Sequence, residues 1–206
     1  MHLFGSRFVT MRALKMNWID FLNTGGVVVL VTTISNAIVK GLERRRNYKK
    51  ALNAISDIYD VFNRVIDDSN ANRVLVLKSS NGGSRPTIGV NLYVSVLHEM
   101  STRGVDQIKA QYQSIHIDET YIRLLQRLTE KKEFEIYTTE IEPGSFLRLT
   151  YDKEQLKRVY MFEIKGNGDN YYFGSFSTQV QEFTDNDRLA FRLAIDKLRK
   201  IFANEK

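Results

Sequence analysis

Few residues in this chain have the types and spacing that chemistry needs. His98 and Glu99 stand side by side and could in principle act as an acid/base pair. They fall in an alternating segment, and neighbouring strand residues point to opposite faces, so the two would not converge. His116 and Asp118 lie two apart ahead of a helical pattern. A metal site there needs a third ligand that the sequence does not place. Cysteine is absent, which excludes disulfides, cysteine-ligated zinc or iron–sulfur sites and thiol catalysis. Gly82-Gly83 and Gly166-Asn167-Gly168 read as hairpin turns better than as phosphate cradles, because no helix N-terminus follows either. Tyr93, Tyr112, Tyr121, Tyr137, Tyr151, Tyr160, Tyr171 and Tyr172 are core or edge aromatics, a few of which could line a pocket. No catalytic residue, metal ligand or cofactor is assigned, and a non-enzymatic protein is expected.

The elements that would position these residues follow from periodicity. Residues 73–79 (RVLVLKS) form a β-branched run that reads as a buried strand, and an Asn-Gly-Gly-Ser turn signal follows. The next segment, IGVNLYVSVLHEM, alternates with Val90, Leu92, Val94 and Val96 on one face. Residues 101–116 have no clear period. Helical spacing resumes from Asp118 to Lys132, with Tyr121, Leu124, Leu125 and Leu128 on one stripe. Phe134–Ile141 alternates, and Phe146–Leu156 reads as a turn plus a short helix. The strands VYMFEI (159–164) and YYFGSFS (171–177) flank a loop of residues that tolerate positive φ. A last helix starts after Thr184, the N-cap candidate, with Asp185 and Asp187 in its first turn. Leu189, Leu193, Ile195, Leu198, Ile201 and Phe202 give its apolar stripe. The order implies an α+β fold, with an antiparallel central sheet and flanking helices mainly on one face.

The charge is unevenly placed. The 206 residues carry a formal net charge of +6. Residues 1–50 hold nine basic and two acidic side chains, and the rest hold 21 basic and 22 acidic. The body of the protein is therefore balanced, and no nucleic-acid partner is expected. Between Asp20 and Lys40 no residue is charged. Phe21–Val39 would make about 28 Å of helix, close to the ~30 Å hydrocarbon core of a bilayer. The segment reads first as a single membrane-spanning helix over 19–40. A buried core helix or strand, or an interfacial or signal-like segment, is the alternative. Trp18 at one end fits an interfacial anchor, and Lys40, Arg44, Arg45 and Arg46 form a basic flank at the other. That flank is denser than Arg7, Arg12 and Lys15 upstream. The expected partner is then the lipid bilayer of the cell membrane, with the C-terminal domain in the cytoplasm.

Over residues 41–70 a basic juxtamembrane stretch runs into a linking helix. Tyr48, Leu52, Ile55, Tyr59 and Phe62 recur at spacings of 4, 3, 4 and 3, a heptad seam. Ile58, Val61 and Val65 widen the stripe. The seam either covers the chain's own sheet or pairs with a second copy in a homodimer, and its upper and lower halves could do one each.

Residues 50–203 resemble a GAF domain. The resemblance rests on a first helix entering RVLVLKSSNGG, on the antiparallel strand IGVNLYVSVLHEM, and on YYFGSFSTQVQEFTDNDRLAFRLAIDKLRKIFA. Its most specific part is the phrase at Phe183–Leu193: phenylalanine, threonine, acids, then an aliphatic helix. PAS domains share much of the element order. The resemblance implies a sensory or dimerisation module over 71–206, with any small-molecule ligand between sheet and helices. The family's bilin attachment and methionine-sulfoxide reductase chemistries use cysteines that are absent. The Asn-Lys-Phe-Asp-Glu set of cyclic-nucleotide-binding members is not found. The expectation is a membrane-anchored GAF-like module that binds a small molecule or a protein partner. A structural subunit of a secretion or virion assembly, using the same fold as a scaffold, is the alternative.

Overall fold

The computed structural model describes residues 26–81, 91–164, 171–179 and 182–203. The chain divides into two compact units, Met1–Leu52 and Asn53–Lys206. The second unit begins inside the expected linking helix, so the lower half of that helix belongs to the folded domain.

Helix α1 runs from Gly26 to Asp68 without interruption. The described part of the expected span over 19–40 and most of the linking region over 41–70 thus lie on one continuous helix. No proline falls between the two, and Lys40, Leu42, Glu43 and Arg44–Arg46 are good helix formers that carry the helix through Gly41. Trp18 and Phe21–Gly25 lie outside the described residues. Among the described residues, no helix is long and apolar enough to cross a membrane. In the first unit Val29, Val31, Ile34, Ile38, Val39, Leu42, Tyr48 and Leu52 are exposed.

The second unit is built on one six-stranded antiparallel sheet. Its strands are β1 (Arg73–Ser80), β2 (Tyr93–Ser101), β3 (Ile115–His116), β4 (Glu133–Tyr137), β5 (Arg158–Glu163) and β6 (Tyr171–Thr178). The spatial order is β3-β2-β1-β6-β5-β4. Helices α2 (Glu119–Lys131), α3 (Phe146–Lys153) and α4 (Asp185–Ala203) complete the unit with the end of α1. The turn signals at 81–84 and 165–170 lie largely outside the described residues.

Helices cover both faces of the sheet, not mainly one as the element order suggests. On one face Leu75, Leu77, Val94, Val96, Val159, Met161 and Phe173 pack against α2 and α3. On the other, Val74, Val76, Tyr160, Phe162 and Phe176 pack against α1 and α4. Strand β5 is buried at every position, and β1 over its first five. Strands buried on both faces read as continuous hydrophobic runs, because neither face needs polar residues.

Local chemistry fixes the helix starts. The Asp118 carboxylate accepts from Tyr121 N at 2.9 Å and from Phe146 N at 2.8 Å, so it caps α2 and ties down the start of α3. This structural duty answers the metal reading of His116 and Asp118. His116 instead meets the Tyr93 ring edge-on. Among the described residues no cluster of three metal-ligating side chains occurs. At α4, Thr184 Oγ1 accepts from Asp187 N, and Asp187 accepts from Thr184 N at 2.6 Å. Asp187 also accepts from the backbone and side-chain amides of Asn70, fastening the end of α1 to the start of α4. Along α4 the buried apolar residues are Phe191, Ala194, Ile195, Leu198 and Phe202. Leu189 and Leu193, expected in the apolar stripe, are exposed.

Candidate functional site

Strand β2 carries a register shift that decides what faces where. Val96 pairs with Leu77, but His98 pairs with Val76, so Leu97 is an extra residue on β2. Without the bulge, His98 would share the face of Val94 and Val96. With it, Glu99 takes that face and His98 turns to α1, where its ring meets Tyr59 edge-on at 5.9 Å. His98 and Glu99 do point to opposite faces, as alternation requires, and form no acid/base pair. Burial, and then the Lys109 charge, hold the His98 imidazole below its ordinary value.

Glu99 lands in a buried polar cluster at one end of the sheet. Its carboxylate accepts from Ile108 N at 2.9 Å and Lys109 N at 2.6 Å. Those bonds pin the segment between β2 and β3, where the sequence has no period. Arg73, the first residue of β1, lies 3.5 Å from Glu99 through Nε. Its guanidinium donates to the Asp106 carbonyl at 2.7 Å and to Glu154 Oε2 at 2.9 Å, both through Nη2. Arg73 is 1% exposed. Its Nε and Nη1 make no hydrogen bond among the described residues, nor does Ser177 Oγ. The register sets Arg73 opposite Ser177 and Leu75 opposite Ser175.

This cluster closes one end of a cavity between the sheet and helices α2 and α3, with a volume of about 60 Å³. Leu75, Leu77, Val94, Val96, Met161 and Phe173 form its floor, and Tyr121, Leu147 and Tyr151 its roof. Tyr112, Ile115 and Phe146, all half-buried, stand at its margin. Burial pushes the Tyr121 and Tyr151 phenols far up, so both stay neutral. Of the eight tyrosines expected as core or edge aromatics, three line this space: Tyr112, Tyr121 and Tyr151. Arg73 is the residue that sequence reasoning missed. A single basic residue at a strand start reads as surface, and only the facing carboxylates show that it is interior.

No family model matches the chain, and no curated protein matches it in sequence. Solved structures do match in architecture. A GAF domain from Synechocystis sp. PCC6803, in its photoproduct state, superposes with a TM-score of 0.50 at 10% identity. The match covers 72% of this chain and 93% of that one. The GAF domain/HD domain protein from Geobacter sulfurreducens matches with a TM-score of 0.50 at 9% identity, over 71% of this chain and 89% of that one. The fold is GAF-like. At these identities the likeness speaks for architecture alone, and the GAF-like domain must be read from its own residues.

The expected dimer seam divides. Tyr48, Leu52 and Ile55 are exposed, at 67%, 49% and 39%. Tyr59 is half-buried against Phe62 and His98. Phe62 is fully buried in the chain's own core and so leaves the seam. Lys40, Arg44, Arg45 and Arg46 are exposed on α1.

Proposed function

We propose that this chain is a non-enzymatic sensory module that binds a small molecule in the GAF-like domain and reports through α1. The observation that carries the reading is the cavity between the sheet and α2/α3, with buried, unpartnered donors at one end. A scaffold would gain stability from filling that space, since unfilled volume costs packing energy. Strand β1 supplies the route out. Leu75 and Leu77 border the cavity, while Val74 and Val76 pack on the α1 residues Ile58, Val61 and Phe62. A ligand that shifts β1 therefore alters the seat of α1. The Tyr121 and Tyr151 phenols of the lining are held neutral by burial, and its carboxylate, Glu154, accepts from Arg73 Nη2.

The anchoring and pairing readings belong to the same proposal. The uncharged stretch 21–39 with its basic flank supports a membrane anchor, with the domain on the cytoplasmic side. Exposed Tyr48, Leu52 and Ile55 support pairing of α1 with a second copy. Fractionation without detergent tests the anchor: a folded chain that stays soluble removes it. Sedimentation of the full chain tests the pairing, because Leu52→Glu should halve the mass, and an unchanged mass removes the dimer. Hydrogen exchange tests the sensor itself. Binding of any fragment-library member should protect α2, α3 and β1 amides, and a library that protects none of them returns the chain to the scaffold reading.

A further inference from the structure

The cavity's polar end also says what class of ligand it takes. We infer that the cavity selects a small uncharged molecule with a compact apolar body and one hydrogen-bond-accepting oxygen, a carbonyl or amide, received by Arg73 Nη1 and Ser177 Oγ. This inference rests on the reading of the cavity as a binding site.

Two counts lead to it. The first is of hydrogen bonds. The unmet groups that line the cavity at its polar end are Arg73 Nη1 and the Ser177 hydroxyl, which can donate, while Arg73 Nε faces Glu99 Oε1 at 3.5 Å. The carboxylates beside them are engaged, and Asn72 Oδ1, a buried acceptor without a partner among the described residues, does not line the cavity. Glu99 takes the amides of Ile108 and Lys109, and Glu154 takes Arg73 Nη2. Buried donors without partners are rare and costly, so the missing piece is an acceptor.

The second count is of charge. One guanidinium faces two carboxylates here, so the cluster already carries a net negative charge. A ligand carboxylate would add a third anion beside Arg73 and Glu99, whose side chains are 1% and 2% exposed, where screening is weak. A neutral carbonyl oxygen meets the unmet donors without that repulsion. A cationic ligand would oppose Arg73 directly and supply no acceptor. The remaining lining is mostly aliphatic and aromatic, with the hydroxyls of Thr150 and Ser175 among it, and suits an apolar body. The volume of about 60 Å³ holds roughly four to six water-sized spheres at ~10–15 Å³ each, so the body is small.

The test uses methyl-labelled full-length chain in solution NMR with three probes: isobutyramide, isobutyrate and xenon. The amide and the carboxylate share shape and differ in charge. Xenon reports whether the cavity admits any guest at all. Isobutyramide should shift the methyls of Val94, Val96 and Leu147, with isobutyrate at least about tenfold weaker. Ser177→Ala should weaken the amide about two- to tenfold, the range of one hydrogen bond, and leave xenon unchanged. Arg73→Met should abolish the amide and keep xenon. If that variant fails to fold, the Ser177→Ala result decides. Xenon binding without isobutyramide binding, or isobutyrate binding as tightly as the amide, overturns the ligand class and leaves the binding site standing. Xenon failing to shift any of these methyls overturns the binding-site reading as well.

Discussion

The two faces of the central sheet are made by alternate residues of the same strands, yet they are packed in different ways. The face under α1 and α4 is closed by rings. Phe191 stacks on Phe176 with centroids 4.5 Å apart and meets Phe183 edge-on at 4.9 Å, and Phe162 stacks on Phe176 at 4.7 Å. The face under α2 and α3 is mostly aliphatic. It encloses an arginine with two carboxylates and keeps a cavity. Rings locked in offset and edge-on contacts have few alternative arrangements. Aliphatic side chains around a void can repack at lower cost. One face is therefore suited to holding the domain together, and the other to changing when something enters.

The comparison breaks first on the ring side. Phe191→Ala removes the residue that joins Tyr160, Phe176 and Phe183. It should cost about 3–5 kcal/mol, read as a lower midpoint in chemical denaturation. Next comes Gly174 on β6. A Cβ there would fall on the Phe162 ring and 2.9 Å from the Leu75 carbonyl. The missing side chain lets the ring lie flat on the strand. Gly174→Val should cost about 3 kcal/mol or more, since backbone as well as ring must move.

Asp187 should give an intermediate effect with a pH signature. Burial works against its ionisation, but bonds from Thr184 N and the Asn70 amides outweigh that and hold the carboxyl below its ordinary value. Its contribution is present above the unfolded value near pH 4 and is lost as pH falls through the folded value. Asp187→Asn should cost about 1–3 kcal/mol at neutral pH and much less in acid. An equal cost at both pH values would show that the amide replaces the carboxylate poorly for steric reasons alone.

On the cavity side the sign should reverse. Val96→Ile adds one methylene toward unfilled space. It should stabilise by about 0.5–1 kcal/mol while excluding isobutyramide. Destabilisation would mean that the cavity walls are as tightly determined as the rings opposite.

How much of this was legible beforehand differs between the two faces. The ring side was readable, because Phe183, Thr184 and the acids that follow name a helix start, and Val159–Phe162 in β5 is a continuous apolar run. That run is the mark of burial on both faces, which the element order alone had assigned to one. On the cavity side, Tyr121, Leu124, Leu125 and Leu128 were placed correctly on α2. The Arg73–Glu99–Glu154 cluster was not, since 81 residues separate Arg73 from Glu154 and no local pattern links them. The bulge at Leu97 also left no sequence mark, having neither glycine nor proline. Cavity volume is the residue of packing many side chains, and no single segment encodes it.

That bulge supplies the smallest and most discriminating prediction. It separates His98 from Glu99 so that each serves a different face. His98, half-buried against Tyr59, is held below its ordinary value by burial and then by Lys109. The folded chain therefore refuses a proton that the unfolded chain accepts. The neutral imidazole favours folding above the unfolded value near pH 6.5, and that advantage is lost as pH falls through the folded value. Wild-type stability should thus decline between about pH 7 and pH 5, and His98→Gln should flatten the decline without touching isobutyramide binding on the opposite face. If the variant keeps the full decline, the titrating group lies elsewhere. If it loses ligand affinity instead, the two faces are coupled through β2 as well as β1, and the division of labour between them is less sharp than their packing implies.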